Sequence, residues 1–274
     1  MNNICLRGRL LSLASPKVMG IVNYTDDSFF PGSRCNDEAA ILRKVEKMLA
    51  EGADIIDLGV VSSRPGAELL DAEVEAVRVR ESVSAIVREF PDALLSVDTW
   101  RASVAEIACG EGACIINDIS GGTFDEAMLD TVARLKVPYV LMHTTDVPAR
   151  MQQQTDYKDL LSDIYRYFAE KIQYLTTRGF SDIILDVGFG FGKTMEQNYR
   201  LLQNLSFFQS LHFPLLVGIS RKSMIYKALD VTPEEALEGT TALHFAALQN
   251  GASILRVHDV KAAKQVCRLW EKCR

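Results

Sequence analysis

Polar or charged side chains end each of eight short apolar runs along the chain. In chain order they are Asn23, Asp57, Asp98, Asn117 with Asp118, His143, Asp186, then Ser220, Arg221 and Lys222, and finally Arg256 with His258. Asp98, Asn117 and Asp186 offer hydrogen-bond acceptors and one amide, which suit the edge of a flat heterocycle carrying amino and ring N–H donors. The sequence therefore offers the groups needed to bind a nitrogen-rich ring.

A second set of residues is cationic and suits a phosphate or pyrophosphate. Its members are Arg64, Arg221, Lys222, Arg256 and His258. An arginine can also stack on the face of a ring. A ligand with a ring and a phosphate tail fits both sets.

Each of these residues has a structural alternative, such as capping a helix or fixing a loop. We interpret Asp57 and Asp118 in that way. The full set is harder to explain structurally, because buried charges and amides need partners and a polar ligand in a cleft supplies them together. The pattern favours an enzyme over a scaffold.

The glycine-rich stretch 188–194 (GFGFGKT) ends like a phosphate-binding P-loop. The required first glycine, five positions before Gly192, is Val187, so that interpretation fails. The stretch also lacks the GxGxxG spacing of a dinucleotide fold. We interpret it as a flexible loop and expect Phe189, Phe191 or both to line the cleft.

The apolar runs themselves predict eight buried parallel strands, because each is rich in Val, Ile and Leu and is bounded by Gly, Pro or Asp. The runs are 18–23, 54–59, 93–98, 114–118, 139–143, 183–187, 215–220 and 254–258. Helical periodicity separates them at 37–51, 71–90, 157–178, 233–250 and 261–272. Eight β/α units predict a TIM barrel, whereas a doubly wound sheet more often uses five to seven strands.

We expect one domain over residues 1–274, because no linker or low-complexity tract divides the chain. Residues 1–16 form an N-terminal extension, in which Ile4–Leu13 alternates weakly. This segment is expected to form a short hairpin that caps the bottom of the barrel. In barrels of this kind the active site lies at the opposite end, where the strands finish.

Composition excludes several other classes of protein. The formal net charge is −6 and no basic run occurs, so nucleic acid is not an expected partner. The six cysteines form no CxxC pair and the four histidines form no zinc pattern, so reduced thiols and any metal carried in by the substrate are expected. We find neither a signal peptide nor a membrane span, which predicts a cytoplasmic enzyme without membrane contact.

Eight stretches of the sequence together resemble the dihydropteroate synthase family. They are MGIVNYTDDSFFPG, DLGVVSSRPGA, SVDTWRASVA, INDISGG, VLMH, LDVGFGFGKT, GISRKSMI and RVHDV, in that order. The resemblance covers all eight predicted units. It implies condensation of hydroxymethyl-dihydropterin pyrophosphate with para-aminobenzoate to dihydropteroate and pyrophosphate in folate biosynthesis, with sulfonamides as inhibitors.

The resemblance also assigns roles to individual residues. It implies that Asp98, Asn117, Met142, Asp186, Lys222 and Arg256 bind the pterin. It implies that Asn23, Ser63, Arg64, Arg256 and His258 bind the pyrophosphate, with Asn23 also coordinating Mg²⁺. It implies a para-aminobenzoate pocket framed by Phe29, Pro65, Phe191, Ser220 and Lys222.

Chemistry of this kind needs positioning and control of charge, because the carbon–oxygen bond breaks as negative charge builds on the leaving group. The pterin methylene then becomes cationic, and the aniline nitrogen attacks it without a strong protein base. We expect Asp98, Lys222, Arg256 and Asp27 to be the catalytic residues. Asp98 and Asp27 are expected to stabilise the cationic ring.

Two loops depart from the family pattern. The usual NVTPDSF is NYTDDSF at residues 23–29, and the usual glutamate and threonine of the second loop are Val61 and Ser63. Loss of the proline frees the backbone and adds a charge beside the expected metal. A catalytically silent pterin-binding paralogue is therefore the main alternative, and a pterin-dependent methyltransferase is a second.

The family commonly forms homodimers through the later helices, so we expect a homodimer here. Leu243, Phe245 and Leu248 lie in that part of the sequence. The same residues are compatible with packing between helix and barrel, which is the more frequent role of apolar side chains.

Overall fold

The computed structural model describes residues 3–6, 8–23, 34–61, 70–147 and 150–274. The strands are β1 (Asn3–Leu6), β2 (Arg9–Ser12), β3 (Lys17–Asn23), β4 (Ile55–Gly59), β5 (Leu95–Asp98), β6 (Ile115–Asp118), β7 (Tyr139–Met142), β8 (Ile183–Asp186), β9 (Leu215–Val217) and β10 (Ile254–Val257). The helices are α1 (Arg34–Ala50), α2 (Ala72–Glu89), α3 (Ala102–Glu111), α4 (Met128–Leu135), α5 (Leu160–Thr176), α6 (Met195–Gln203), α7 (Ser223–Leu229), α8 (Leu237–Gln249) and α9 (Val260–Cys273), with 3₁₀ turns at Met151–Gln153 and Leu205–Leu211.

Strands β3 to β10 form a closed parallel barrel in the order β10-β3-β4-β5-β6-β7-β8-β9. Helices follow the strands around the outside, so the predicted TIM barrel is confirmed. All eight predicted strands are present, and the five predicted helical segments each contain a helix. The largest difference is in β9, which ends at Val217 and not at Ser220.

Alternation along the strands decides which side chains enter the barrel. In β3, Val18 and Val22 pack in the main cluster between barrel and helices. Met19 packs instead in a separate cluster inside the barrel, so Ile21 and Asn23 share the inward face. The same two-residue period in β4 places Ile55 and Asp57 inside. Polar residues at the strand ends therefore point into the barrel when they lie an even number of positions from an inward residue.

The N-terminal end of the barrel is closed by apolar contacts. β1 and β2 pair antiparallel, from Asn3 opposite Ser12 to Leu6 opposite Arg9, which confirms the predicted hairpin. Ile4, Leu6 and Leu13 are buried against inward-facing strand residues. These strand residues are Met19, Ile55, Ile115, Val140, Ile184, Leu216 and Ile254. The hydrophobic effect thus stabilises one end of the barrel and leaves the other end for polar groups.

The later helices pack mainly on the barrel. Leu248 is buried in the main core, and Leu243 and Phe245 are partly buried against it. Within the part of the chain that the structure describes, no helix has the length and apolar character to cross a membrane.

The β1–β2 hairpin packs as a plug against the N-terminal end of the barrel, and this packing can be tested by mutation. Leu6 is 2% exposed beneath the barrel, whereas Leu10 on the same hairpin is 71% exposed. We predict that Leu6→Ala lowers the free energy of unfolding by about 2–5 kcal/mol, because it leaves a cavity in a packed cluster. Urea denaturation measures this, with Leu10→Ala as the matched control that should change little. Equal effects of the two substitutions would contradict a packed plug.

Candidate active site

The C-terminal end of the barrel brings most of the sequence-predicted site residues together. Neighbouring strands place Gly59 beside Asp98, Asp98 beside Asn117, and Met142 beside Asp186. Arg256 enters from β10, and Ser220, Lys222 and His258 follow the ends of β9 and β10. The geometry therefore supports a single polar mouth lined from every side of the barrel.

Arg256 occupies the centre of this mouth. Its Nε donates to Oδ2 of Asp57 at 2.6 Å, and its Nη2 donates to Oδ2 of Asp98 at 2.9 Å. Burial opposes the charge on the guanidinium, but the carboxylates of Asp57 and Asp98 outweigh it and raise the pKa of Arg256. The arginine thus remains a cation and spans three strands.

Asp57 contacts two of the sequence-predicted site residues. It is 0% exposed inside the barrel, where it also accepts a 3.0 Å hydrogen bond from Nδ2 of Asn117. The structural role expected of Asp57 is therefore to orient Arg256 and Asn117, two of the residues predicted to bind the pterin. Its Oδ1 has no hydrogen-bond partner among the described residues.

Asp118, by contrast, has the expected structural role. It faces away from the barrel interior and accepts hydrogen bonds from the Tyr139 hydroxyl at 2.6 Å and from the backbone N–H groups of Ser120 and Gly122. Burial raises its pKa, and these hydrogen bonds oppose the shift. The contacts fix the loop that leaves β6.

The acceptors in the mouth are strongly desolvated. Burial raises the pKa of Asp98 to about 7, against the opposing effect of Arg256. Burial also raises the pKa of Asp186, which Lys222 and a hydrogen bond from the Gly188 N–H oppose. A ligand that donates N–H hydrogen bonds to such a carboxylate stabilises its ionised form, which burial has made unfavourable.

Lys222 faces Asp186 from the other side of the mouth. Its Nζ donates to the carbonyl of Phe189 at 2.6 Å and lies 4.7 Å from the ring centroid of Phe191. Burial lowers the pKa of Lys222 to about 8, while Asp186 opposes the shift. The lysine therefore connects the acceptor side of the mouth with the loop that follows β8.

Two inward positions at this level are glycines. A Cβ at Gly218 would lie 4.0 Å from Nζ of Lys222 and 3.9 Å from Cβ of Arg256. A Cβ at Gly59 would lie 3.1 Å from Oδ1 of Asn23. Gly218 therefore lies between the two cations and adds no side chain to the mouth.

The two loops after β9 and β10 are tied together near the mouth. Oγ of Ser220 accepts from the backbone N–H of His258 at 3.2 Å and lies 3.1 Å from its Nδ1. Arg221 was expected among the phosphate-binding cations, and this assignment stays a prediction. In the structure its guanidinium donates two hydrogen bonds to Asp259, at 2.8 and 3.0 Å, and two more to the carbonyls of Pro233 and Glu234.

The aromatic side chains of the loop after β8 divide between core and mouth. Phe189 is fully buried in the core between barrel and helices. Phe191 is partly buried against the cluster of Trp100, Ile119 and Met142. The expectation that at least one of the two phenylalanines lines the cleft therefore fits Phe191, and Met142 lies in the same apolar patch.

Lys193 is a buried cation to which the sequence assigned no role. It is 3% exposed, and burial lowers its pKa to about 7. Its Nζ lies 3.1 Å from Nδ1 of His143, whose pKa burial and Lys193 together lower. The only sequence feature that marks Lys193 is its place directly after three alternating glycines. Its contact with His143 could not be predicted from spacing, because the two residues lie 50 positions apart.

A second ionic group lies beside Asp98. Glu75 is buried on α2 and accepts hydrogen bonds from the Thr99 hydroxyl at 2.6 Å and from Nη1 of Arg101. Arg101 also donates to the carbonyl of Leu70 at 2.7 Å. This group fixes the segment that directly follows β5.

Five of the expected site residues lie outside the described residues. They are Asp27, Phe29, Ser63, Arg64 and Pro65. Their assignments stay predictions.

A TIM barrel whose C-terminal mouth holds the buried acceptors Asp98, Asn117 and Asp186 beside Lys222 and Arg256 is typical of an enzyme that binds a flat, nitrogen-rich heterocycle. The chain matches the family described as "Pterin binding enzyme" over residues 19–258. It is 43% identical to the dihydropteroate synthase of Synechocystis sp. over 255 residues, which cover 92% of this chain and 88% of that protein.

Solved structures show the same similarity. The Yersinia pestis dihydropteroate synthase with a sulfonamide drug complex aligns with a TM-score of 0.91 and 39% identity, covering 99% of this chain and 98% of that one. The Xanthomonas albilineans dihydropteroate synthase with 4-aminobenzoic acid aligns with a TM-score of 0.90 and 36% identity, with the same coverage. The chain belongs to the dihydropteroate synthase family of pterin-binding enzymes.

The position of Asp57 leads to a prediction. Asp57→Asn keeps the volume but removes a buried charge that Arg256 and Asn117 both contact. Breaking a buried pair in this way should lower the free energy of unfolding by about 3–5 kcal/mol. The affinity for a pterin should fall as well, because Arg256 and Asn117 lose the contact that orients them.

Chemical denaturation and calorimetric titration with a pterin measure the two effects. Asp130→Asn is the matched control, since that exposed carboxylate pairs with Arg178 on the surface. It should leave pterin affinity unchanged. Unchanged pterin affinity in a folded Asp57→Asn protein would show that Asp57 does not orient the site.

Proposed function

We propose that this protein is an active dihydropteroate synthase. It condenses hydroxymethyl-dihydropterin pyrophosphate with para-aminobenzoate and releases pyrophosphate. The arrangement that carries the proposal is the buried Asp57–Arg256–Asp98 group with Asn117, opposite Lys222 and Asp186. This arrangement supplies both the acceptors for a pterin edge and the cations for its phosphate tail.

Pterin binding uses the described acceptors. Asp98, Asn117 and Asp186 would accept from, or donate to, the amino and ring nitrogen atoms. The guanidinium of Arg256 is held in one orientation by two carboxylates, so it can stack on the ring without further ordering. Met142 would contact the ring from the apolar patch.

Departure of pyrophosphate requires positive charge at the tail. Arg256 supplies that charge. His258, expected as a cation, is neutral because burial and Arg256 lower its pKa to about 4, so it contributes as an uncharged group. Ser63 and Arg64 remain the predicted contributors from the second loop. As the carbon–oxygen bond breaks, the two bonding electrons leave with the pyrophosphate oxygen and the pterin methylene becomes cationic. The carboxylates of Asp57, Asp98 and Asp186 favour that charge electrostatically.

The aniline nitrogen of para-aminobenzoate then forms the new carbon–nitrogen bond and loses its proton. An arylamine is nucleophilic when neutral, so no strong protein base is required. The pocket for this substrate would be formed by Phe191, Ser220 and Lys222, together with Phe29 and Pro65. The relative from Xanthomonas albilineans was solved with 4-aminobenzoic acid, which supports this substrate class.

A magnesium ion fits the residues at the mouth. Mg²⁺ prefers oxygen ligands and commonly keeps water molecules and substrate phosphates in its shell. Oδ1 of Asn23 lies at the end of β3 near Gly59 and offers such an oxygen. We expect the ion to arrive with the pyrophosphate, whose charge it would neutralise in part.

The expected homodimer also remains part of the proposal. Leu229 on α7 and Leu269 on α9 are 53% and 63% exposed, and they lie in the later helices where the family resemblance places the contact. Sedimentation at micromolar concentration measures the oligomeric state.

The function is tested by mixing the protein with the pterin pyrophosphate, Mg²⁺ and para-aminobenzoate. We expect pyrophosphate and dihydropteroate to appear together, and neither to appear in quantity when para-aminobenzoate is omitted. Pterin binding without product would identify a silent paralogue. Methyl transfer to a corrinoid protein would identify the methyltransferase.

The raised pKa of Asp98 gives a pH prediction. The ionised carboxylate accepts from ring N–H groups, and its fraction grows as pH rises through about 7. Affinity for a pterin should therefore increase between pH 6 and pH 7.5, with net proton release on binding. Calorimetry in two buffers of different ionisation enthalpy measures both quantities.

Asp98→Asn is the control for that titration. It should bind more weakly and lose the pH dependence that the carboxylate supplies. It should also slow product formation, because a negative charge next to the cationic ring is removed. A full pH dependence in Asp98→Asn would assign the effect to another group.

A further inference from the structure

We infer that Lys193 is the positioning residue of the para-aminobenzoate pocket, acting through the loop that carries Phe191. This inference rests on the proposed function, because it concerns the second substrate of that reaction. Lys193 does not touch the substrate, since it is 3% exposed and its ammonium group points into the protein.

The hydrogen bonds of Lys193 tie two loops together. Its Nζ donates to the carbonyls of Phe191 at 2.8 Å and Gly188 at 3.0 Å, and lies 3.1 Å from Nδ1 of His143 at the end of β7. Three acceptors at these distances match the three N–H donors of an ammonium group. The lysine therefore holds both ends of the segment Gly188–Phe191 against β7.

This segment needs such a restraint because of its glycines. Gly188, Gly190 and Gly192 have φ values of +70°, +81° and +62°, in the left-handed region that glycine adopts readily. Glycine also has the largest freedom in the unfolded chain, so alternating glycines are costly to order. Lys193 and the side chain of Asn198, which accepts from the Gly190 N–H at 2.7 Å, provide the fixed contacts.

The segment Gly188–Phe191 provides two contacts for Lys222. The carbonyl of Phe189 accepts from Nζ of Lys222, and the ring of Phe191 lies beneath it. Movement of the segment would displace the Phe191 ring and release Lys222 together. The acceptors Asp57, Asp98 and Asn117 belong to a separate hydrogen-bonded group around Arg256. Asp186, the remaining acceptor, contacts the loop through the Gly188 N–H at 2.8 Å.

The inference predicts a separation between the two substrates. In Lys193→Met, KM for para-aminobenzoate should rise about tenfold, which corresponds to about 1.4 kcal/mol. The Kd of the pterin pyrophosphate should rise clearly less, because only Lys222 and Asp186 of the pterin-binding set contact this loop. At saturating para-aminobenzoate, kcat should fall by a smaller factor than KM rises. Lys193→Gln retains two N–H donors and should recover part of the loss. Unchanged KM in folded Lys193→Met overturns the inference, and so does an equal loss of pterin affinity.

A matched control separates positioning from general stability. Lys264 forms a 2.9 Å ion pair with Asp54 near the N-terminal end of the barrel. Lys264→Met should lower the melting temperature without changing KM for either substrate. If it raises KM for para-aminobenzoate as Lys193→Met does, the effect reflects stability and the inference fails.

A double-mutant cycle tests whether Lys193 acts through Phe191. Phe191→Leu alone should raise KM for para-aminobenzoate, and adding Lys193→Met should then have little further effect, because coupled residues are not additive. Additive effects would overturn the inference. If Lys193→Met does not fold, the cycle is run with Lys193→Gln.

Binding without turnover keeps this test independent of the proposed function. Para-aminobenzoate is titrated into the protein saturated with a pterin and pyrophosphate, and its Kd is compared between the wild type and Lys193→Met. If the wild type binds but makes no product, the proposed function fails while a tenfold difference in Kd still supports the inference. If the wild type makes product and the two Kd values agree, only the inference fails.

Discussion

The site depends on the placement of one arginine between two carboxylates inside the barrel. Removing three charges from water is costly, and packed apolar side chains can replace a buried ion pair without loss of stability. Stability alone therefore does not explain the contacts of Arg256 with Asp57 and Asp98. Their consequence is orientation: the guanidinium is fixed before any ligand arrives, so binding does not have to order it.

The barrel makes this arrangement possible by separating two tasks along the same strands. Inward residues at the N-terminal end are apolar and pack against the hairpin through Ile4 and Leu6. The following inward positions on the same strands are polar, as with Ile55 and Asp57 on β4. Because the period is two, one slip of register would exchange the polar and apolar faces, so the packing of the plug also fixes which side chains enter the mouth.

Local signals account for what the sequence predicted. Apolar runs and their ends gave eight strands and placed Asp98, Asn117 and Asp186 at the mouth, because alternation and strand termination are properties of neighbouring residues. Other roles depend on partners far away in sequence. Asp57 meets Arg256 199 residues later, and Arg221 is bound by Asp259 on the next loop, 38 residues on. No spacing rule indicates such pairs, so the sequence did not show that Asp57 holds Arg256 or that Asp259 binds Arg221.

Lys222 explains why the two halves of the pocket cannot be independent. One of its three N–H donors goes to the Phe189 carbonyl, which leaves donors for a ligand, while Asp186 acts on the ammonium group through its charge. Its position is therefore set by the loop of the second substrate, while its charge acts on the first. A pterin that draws on Lys222 stabilises the same loop conformation that places the Phe191 ring 4.7 Å from its ammonium group. Binding of one substrate and formation of the other pocket are thus linked through a single side chain.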